Sequence, residues 1–155
     1  MRFCLLFALC MALIGCDSSD EKIIDVAKNE IAKKMHDPDA AKFSDMLIHR
    51  GETGIANKVT NQSQKVKYQY FSVCGSVNGK NLFGAYTGKT RFVVSVVQVE
   101  SEKKLSVVDS VHDEGTLKEA TVTSSGTGNP ESIFEAFYWN KVCVNEQYPK
   151  TYTGI

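Results

Sequence analysis

Hydrophobic and polar residues follow three different patterns along the chain. Residues 3–14 form an uninterrupted apolar run, and residues 20–35 carry apolar side chains at helical spacing. From Phe43 onward the dominant period is two, which is the period of a β-strand with one buried face. The sequence therefore predicts a short apolar leader, then an amphipathic helix, and then a β-sheet.

The amphipathic helix has a recognisable start and end. Apolar side chains recur at every fourth position within residues 20–35, which places them on one face of a helix. Ser18 and Glu21 have the spacing of a capping box, and Pro38 follows the last turn. We therefore predict a helix over residues 20–35 that packs its apolar face on the sheet.

Period-two patterning predicts the strands of the sheet. The segments are Met46–His49, Lys65–Cys74, Arg91–Glu100, Leu105–His112 and the short Ala120–Thr123. We expect residues 51–64, which are rich in Gly, Thr and Asn, to form a polar connection between the first two strands. Residues 101–104 suit a hairpin turn. The order of the segments predicts an antiparallel meander of about 4–5 strands.

A second helix is predicted near the C-terminus. Asn129 is a favourable N-cap, Pro130 suits the first helical position, and Glu131 suits the first turn. Most of residues 133–139 are apolar and would pack on the sheet. We therefore expect a single α+β domain over residues 21–155, in which the N-terminal and C-terminal helices cover one face of the meander.

The apolar leader ends in a motif that can be interpreted more closely. Arg2 precedes the apolar run, whose 12 residues are too few to cross a hydrocarbon core of roughly 30 Å. The four residues at the end of this run, Leu13–Cys16, read LIGC and resemble the lipobox of bacterial lipoproteins. The resemblance implies that residues 1–15 are removed as a signal peptide. It also implies that Cys16 is acylated, with chains such as palmitate, and that residues 16–20 form a lipidated tether.

The same resemblance implies a location. Lipid on Cys16 would anchor the mature domain to the bilayer of a bacterial cell envelope, facing the periplasm. Asp17 resembles the signal that retains lipoproteins in the inner membrane of enteric-type bacteria. An ordinary signal peptide that is cut elsewhere and an uncleaved anchor remain open as alternatives.

Cleavage before Cys16 would leave only two unmodified cysteines among the five. Cys4 and Cys10 leave with the signal peptide, so Cys74 and Cys143 remain. Two remaining thiols usually pair in an oxidising compartment, and we therefore expect a disulfide between them. Two buried free thiols, or a catalytic cysteine, are the alternatives.

Charge and loop spacing argue against two classes of partner. The 155-residue chain has 18 basic and 18 acidic side chains, which gives no electrostatic reason to expect nucleic acid or a polybasic hold on the membrane. Residues 84–90 imitate a phosphate-binding P-loop, but three residues separate their glycines where the motif requires four. We therefore expect no nucleic acid, no nucleotide and no cofactor.

Two segments of the chain resemble a single family. Residues 37–43 read DPDAAKF, and residues 73–88 read VCGSVNGKNLFGAYTG. Both resemble a pattern in small, uncharacterised exported bacterial proteins, in which a DP-x-x-A-x-F turn ends a helix and a CG-x-VN-x-KN-x-FG-x-YTG segment follows a strand. Ala85 stands where that pattern has glycine. The resemblance implies a shared domain and names no reaction.

The glycine-rich segment Gly75–Thr90 has two interpretations. The one we favour is a structural turn shaped by its glycines, with aromatic side chains that cover the core beside the disulfide. The other is a recognition loop, because aromatic and adaptable polar side chains are typical of contact surfaces. Its candidate contact residues are Asn78, Lys80, Asn81, Phe83 and Tyr86.

Candidate catalytic and metal-binding chemistry is sparse. Three widely separated histidines show no metal-ligand spacing: His36, His49 and His112. Three acidic residues are candidates for a small cell-envelope hydrolase that acts on glycan, although a solvated turn is the simpler interpretation: Asp109, Asp113 and Glu114. We expect no catalytic residue and no metal ligand.

These patterns together favour a lipoprotein that is not an enzyme. We expect its domain to bind another, unknown envelope protein, as immunity, exclusion and inhibitor lipoproteins of similar size do. The alternatives are the hydrolase described above and a structural subunit of a secretion or conjugation apparatus.

Overall fold

A four-stranded antiparallel sheet is the framework of the fold. The computed structural model describes residues 18–58, 60–117, 121–123 and 128–154, so the predictions for residues 1–17, including Cys16, lie outside the described residues. The helical elements are α1 (Ser18–Ala32), a 3₁₀ turn (Pro38–Ala40), α2 (Glu114–Leu117), a π-helical turn (Glu135–Trp139) and α3 (Asn140–Val142). The strands are β1 (Lys42–Lys58), β2 (Asn61–Asn78), β3 (Thr90–Val99), β4 (Lys104–Asp113), β5 (Thr121–Thr123) and β6 (Pro130–Ser132).

The strands are arranged as a meander. Their order in the main sheet is β1-β2-β3-β4, and every neighbouring pair is antiparallel. β5 and β6 pair with each other in a separate two-stranded sheet. The predicted α+β class is therefore confirmed, together with its antiparallel meander and its N-terminal and C-terminal helices.

The predicted polar connection over residues 51–64 is wrong. β1 continues to Lys58 and β2 begins at Asn61, so this segment belongs to a long antiparallel hairpin. Gly54 permits the pairing, because the Tyr68 ring lies across it and a β-carbon at this position would collide with the ring. Cross-strand pairing joins residues 53–57 to residues 65–69, within a polar segment that composition alone assigns to a loop.

α1 packs on one face of the sheet, which we call the front face. Its buried residues are Ile23, Ala27 and Ile31, and they keep the predicted spacing of four. They share a core cluster with alternate residues of β2 and β3: Phe71, Val73, Val77, Phe92, Val94 and Val96. The amphipathic helix is confirmed, although it spans Ser18–Ala32 and not residues 20–35.

The C-terminal helical residues, 133–142, pack on the opposite face, which we call the back face. Trp139 belongs to a second buried cluster with Cys74 and Val93. Each of these two strand residues is adjacent in sequence to a front-face residue, and adjacent residues of a strand point to opposite faces. The two helices therefore cover opposite faces of the sheet, where the sequence predicted a common face.

The predicted disulfide between Cys74 and Cys143 is confirmed. Their Cα atoms are 5.9 Å apart, both side chains are buried, and 69 positions separate them in the sequence. In the chain-entropy account, closing a loop of this length stabilises the folded state by roughly 4 kcal/mol. The disulfide ties the C-terminal residues to β2 on the back face.

The predicted start of the C-terminal helix is wrong. Pro130 is the first residue of β6 and not of a helix, so Asn129 does not serve as the N-cap. The Ser132 Oγ accepts the Glu135 N–H at 3.2 Å, and the Glu135 carboxylate accepts the Ser132 N–H at 3.0 Å. This reciprocal pair is a capping box. It satisfies two backbone donors at once, which a single Asn129 cap would not do.

Candidate functional site

The glycine-rich segment between β2 and β3 forms a short hairpin over residues 79–88, which we call the tip hairpin. Lys80 and Tyr86 form an antiparallel bridge, and the Asn81 N–H donates to a carbonyl four residues further on at 2.9 Å. Gly84 has a φ of 78°, a left-handed conformation that favours glycine. The segment is therefore an ordered turn with its own hydrogen bonds.

Two of the predicted contact residues support this turn from within. The Asn81 Oδ1 accepts the N–H groups of Phe83 and Ala85, each at 3.0 Å. The Asn78 Oδ1 accepts the Gly88 N–H at 3.1 Å. Asparagine side chains that accept from nearby backbone donors stabilise tight turns. Asn78 and Asn81 therefore shape the tip hairpin, and their side-chain oxygens are already occupied.

The tip hairpin is held against the 3₁₀ turn. The Tyr86 hydroxyl donates to the Ala40 carbonyl at 3.1 Å, across 46 positions of sequence. The Lys80 Nζ lies 3.5 Å from an Asp37 carboxylate oxygen, and Asp37 also caps the 3₁₀ turn. The two segments that carry the family resemblance are therefore in contact with each other.

Leu82 and Phe83 stand at the outer end of the tip hairpin. Their exposed fractions are 77% and 94%, the two largest among the exposed large hydrophobic residues of the described chain. Tyr86 is 39% exposed, and the Lys42 ammonium lies 4.2 Å from the centre of its ring. We expected aromatic side chains that cover the core, and Phe83 faces solvent instead.

A buried ionic network on the back face was not predicted from the sequence. Arg91, near the start of β3, donates hydrogen bonds to the carboxylates of Glu114 and Glu135, the latter at 3.1 Å. Glu135 is fully buried, and the Arg91 guanidinium lies 4.9 Å from the centre of the Trp139 ring. The Ser-x-x-Glu spacing of Ser132 and Glu135 was a signal in the sequence that could have located one member.

Glu135 is held as a carboxylate. Burial by itself would raise its pKa, but four donors act in the opposite direction and lower the pKa to about 2. These donors are the Thr151 side chain, the backbone N–H groups of Thr153 and Ser132, and Arg91. A carboxylate with this pKa does not exchange its proton near neutral pH. Glu135 therefore serves as a structural anion and is unsuited to acid–base catalysis.

The acids considered for a hydrolase have other partners. The Asp113 Oδ1 accepts the Gly115 N–H at 2.7 Å, and the Glu114 carboxylate forms an ion pair with Arg91. The side chain of Asp109 lies outside the described residues. Asp113 and Glu114 therefore do not form the facing carboxylate pair that glycan hydrolysis requires.

The three histidines lie in separate places. His36 lines a shallow pocket beside the tip hairpin, and His49 lies in β1. His112 stacks on the Tyr138 ring with centroids 3.3 Å apart, and burial together with the Lys34 charge lowers its pKa. Over the part of the chain that the structure describes, no three His, Cys, Asp or Glu side chains converge on a metal site.

An open groove crosses the part of the back face that residues 133–142 leave uncovered. Its volume is about 560 Å³, and it is lined by Val97 and by Tyr68 and Tyr70, whose ring centroids are 5.3 Å apart. The ion pair between Lys58 and Glu102, 2.7 Å long, also lines it. The period-two pattern of β2 places these two tyrosines on one face, but it does not show that the face stays open.

No protein-family model, curated protein or solved structure matches the chain. Within residues 18–58, 60–117, 121–123 and 128–154, no helix has the length and apolar character needed to cross a membrane. The function is therefore argued from the chemistry of the chain's own surfaces. Among these, the tip hairpin combines ordered backbone with exposed apolar side chains.

Proposed function

We propose that the mature chain is a lipid-anchored envelope protein that binds another envelope protein through the tip hairpin. The observation that carries this proposal is the exposure of Leu82 and Phe83, at 77% and 94%. A single exposed apolar residue is ordinary, but two adjacent ones raised on an ordered turn offer apolar area that the fold leaves unused. Burial of such side chains by a partner is favourable, because it removes apolar area from water.

The backbone beneath these two side chains is ordered before a partner arrives. The Asn81 side chain accepts two backbone donors, and the Tyr86 hydroxyl fixes the hairpin to the 3₁₀ turn. Binding by a surface that is already ordered costs less conformational entropy than binding by a free loop. The tip hairpin is thus suited to insert its apolar end into a recess of a partner.

Two lysines next to the tip are paired with carboxylates of the domain. Lys80 pairs with Asp37, and Lys89 pairs with Asp45 at 3.2 Å. These pairs leave little net charge to steer an acidic partner toward the tip. The recess that accepts Leu82 and Phe83 is therefore expected to be apolar, with polar groups at its rim.

The envelope location draws support from two features. The sequence Leu13–Cys16 resembles a lipobox, which implies acylation of Cys16. The disulfide between Cys74 and Cys143 is of a kind that persists in oxidising compartments, such as the periplasm. An acidic residue after the acylated cysteine, Asp17, favours the inner membrane in enteric-type bacteria.

Site-specific photocrosslinking in living cells tests the proposal. A photoreactive amino acid is placed at Phe83 of the full chain and, as a matched control, at the exposed Ser101 in the turn between β3 and β4. We expect one dominant protein adduct from position 83 that is absent from position 101 and that disappears with Leu82→Asp. The same adducts from both positions would contradict binding through the tip.

The composition of the adduct separates the proposal from its alternative. A structural subunit of a secretion or conjugation apparatus would crosslink to further copies of itself or to a component present in many copies.

Anchoring is tested by Cys16→Ser, which should release the protein from membranes. A membrane-bound Cys16→Ser protein of mature size would contradict the lipid anchor.

A further inference from the structure

The direction of α1 places its N-terminus far from the tip hairpin. Near the start of α1, the Asp20 carboxylate lies 2.6 Å from the Arg50 guanidinium of β1. After its last turn, the Met35 sulfur packs against Gly79, where the tip hairpin begins. α1 has 15 residues, which corresponds to roughly 22 Å of helix. The point where the chain enters α1 and the tip hairpin therefore lie at opposite ends of the helix.

A long hairpin extends past this entry point. β1 continues for eight residues beyond Arg50, to Lys58, and β2 returns from Asn61 to Phe71, the partner of Arg50. We call residues 51–58 and 60–70 the arm. Eight strand residues span up to roughly 26 Å, in the direction opposite to the tip hairpin. The arm is thus the part of the sheet that reaches farthest beyond the start of α1.

The segment between a lipid anchor at Cys16 and the start of α1 would be much shorter than the arm. Cys16 lies two residues before Ser18, where α1 begins, and two residues span at most about 7 Å. An anchor this short holds the start of α1 close to the lipid headgroups. The arm is several times longer than the anchor and starts from the same place. The arm and the tip hairpin extend in opposite directions from this place.

The front face of the arm has side chains that suit a lipid surface. Ile55 is 63% exposed, and its cross-strand partner is Lys67. Lys65 is the next residue of β2 on the same face, and both lysines are exposed. This is also the face on which α1 packs, because Phe71 and Lys67 are separated by an even number of β2 positions. These side chains, together with Glu100 beside Ile55 and Lys67, therefore lie on the side from which the tether leaves.

The arm end of the sheet carries a small net positive charge in a chain that is neutral as a whole. Residues 51–67 and 100–104 contain five lysines and three glutamates, whereas the whole sequence is neutral. Lysines near a bilayer are attracted to anionic headgroups. We propose that the front face of the arm lies on the bilayer surface, with Ile55 in the headgroup region and Lys65 and Lys67 against anionic lipids. This inference rests on the proposed acylation of Cys16.

Fluorescence from a label on the arm tests the inference. Ile55→Cys and, as the matched control, Phe83→Cys each provide one free thiol, because Cys74 and Cys143 are joined and Cys16 carries lipid. The acylated proteins are labelled with an environment-sensitive dye and reconstituted into vesicles of phosphatidylethanolamine and phosphatidylglycerol that contain a headgroup-level nitroxide lipid. We expect several-fold stronger quenching at position 55 than at position 83. Lys65→Glu combined with Lys67→Glu should reduce the quenching at position 55.

The outcomes separate this inference from the proposed anchor. Equal quenching at positions 55 and 83 in protein that floats with the vesicles would overturn the placement of the arm and leave the anchor intact. Quenching at position 55 that is unchanged by the lysine reversals would overturn the role given to Lys65 and Lys67. A mature chain that lacks acyl groups and stays in solution would overturn the anchor, and the placement of the arm with it.

Discussion

The Arg91 network and the tip hairpin each reverse the ordinary distribution of side chains, in opposite senses. In the network, charged groups are buried: Glu135 is fully inaccessible and the Arg91 side chain is only 16% exposed. At the tip, Leu82 and Phe83 are apolar and exposed. Most polar groups of a folded protein lie outside and most large apolar groups inside. Both regions therefore require an explanation beyond the hydrophobic pattern.

The two regions differ in what compensates the free-energy cost of burying charges or exposing apolar side chains. The buried charges of the network satisfy one another and also receive hydrogen bonds from the backbone of Ser132 and Thr153, so the domain itself supplies every compensating contact. The tip has no such compensation within the domain, because Phe83 touches little of it. The network is thus a feature of stability, whereas the proposed contact with another molecule would account for the tip.

Replacing Arg91 should give the largest loss of stability. Arg91→Leu would leave the buried Glu135 and the neighbouring Glu114 without their cation, and removing one partner of a buried ion pair costs about 3–5 kcal/mol. The free energy of unfolding can be measured by urea denaturation followed by circular dichroism. Arg50→Leu is the matched control, since its ion pair with Asp20 is exposed and is worth less than about 1 kcal/mol. Equal losses in the two variants would show that the network is not a buried one.

Acid should weaken the same network next. The native pKa of Glu135 is about 2, below its ordinary value of 4.5, so the unfolded chain binds a proton at this site before the folded chain does. The stability that Glu135 contributes is therefore complete above about pH 4.5 and is lost as the pH falls toward 2, by about 3 kcal/mol in total. Glu135→Gln removes this titration. Parallel stability curves for the wild type and Glu135→Gln between these pH values would contradict the lowered pKa.

Much of the sheet was predictable because its side chains obey a simple period. Apolar and polar residues alternate along β2, and β3 is rich in β-branched residues. The spacing of Ile23, Ala27 and Ile31 located α1. The arm was missed because its glycine, threonine and asparagine residues resemble a loop. Its pairing depends on a ring that covers Gly54 from the neighbouring strand, which is information held in another part of the sequence.

Local sequence patterns also could not show which face of the sheet each helix covers. Cys74 and Val73 are adjacent, and only the pairing of Cys74 with Cys143 decides that the C-terminal residues cover the back face.

The tip hairpin was found as a segment, but its five candidate contact residues have different roles. Asn78 and Asn81 hold the turn, whereas Leu82, which was not among the candidates, is exposed beside Phe83. A glycine-rich sequence shows that a turn exists without showing which side chains it turns outward.

The smallest loss of stability is expected at the tip itself. Phe83→Ala removes a side chain that is 94% exposed, so the free energy of unfolding should change by less than about 0.5 kcal/mol. Asn81→Ala is the informative companion, because it leaves two backbone donors without their acceptor and should cost about 1 kcal/mol. Both values can be measured by urea denaturation with Trp139, the single tryptophan, as the fluorescent probe. A loss above about 1 kcal/mol in Phe83→Ala would mean that Phe83 packs on the domain. The tip would then belong with the Arg91 network as a feature of stability, and its exposure would no longer support a partner.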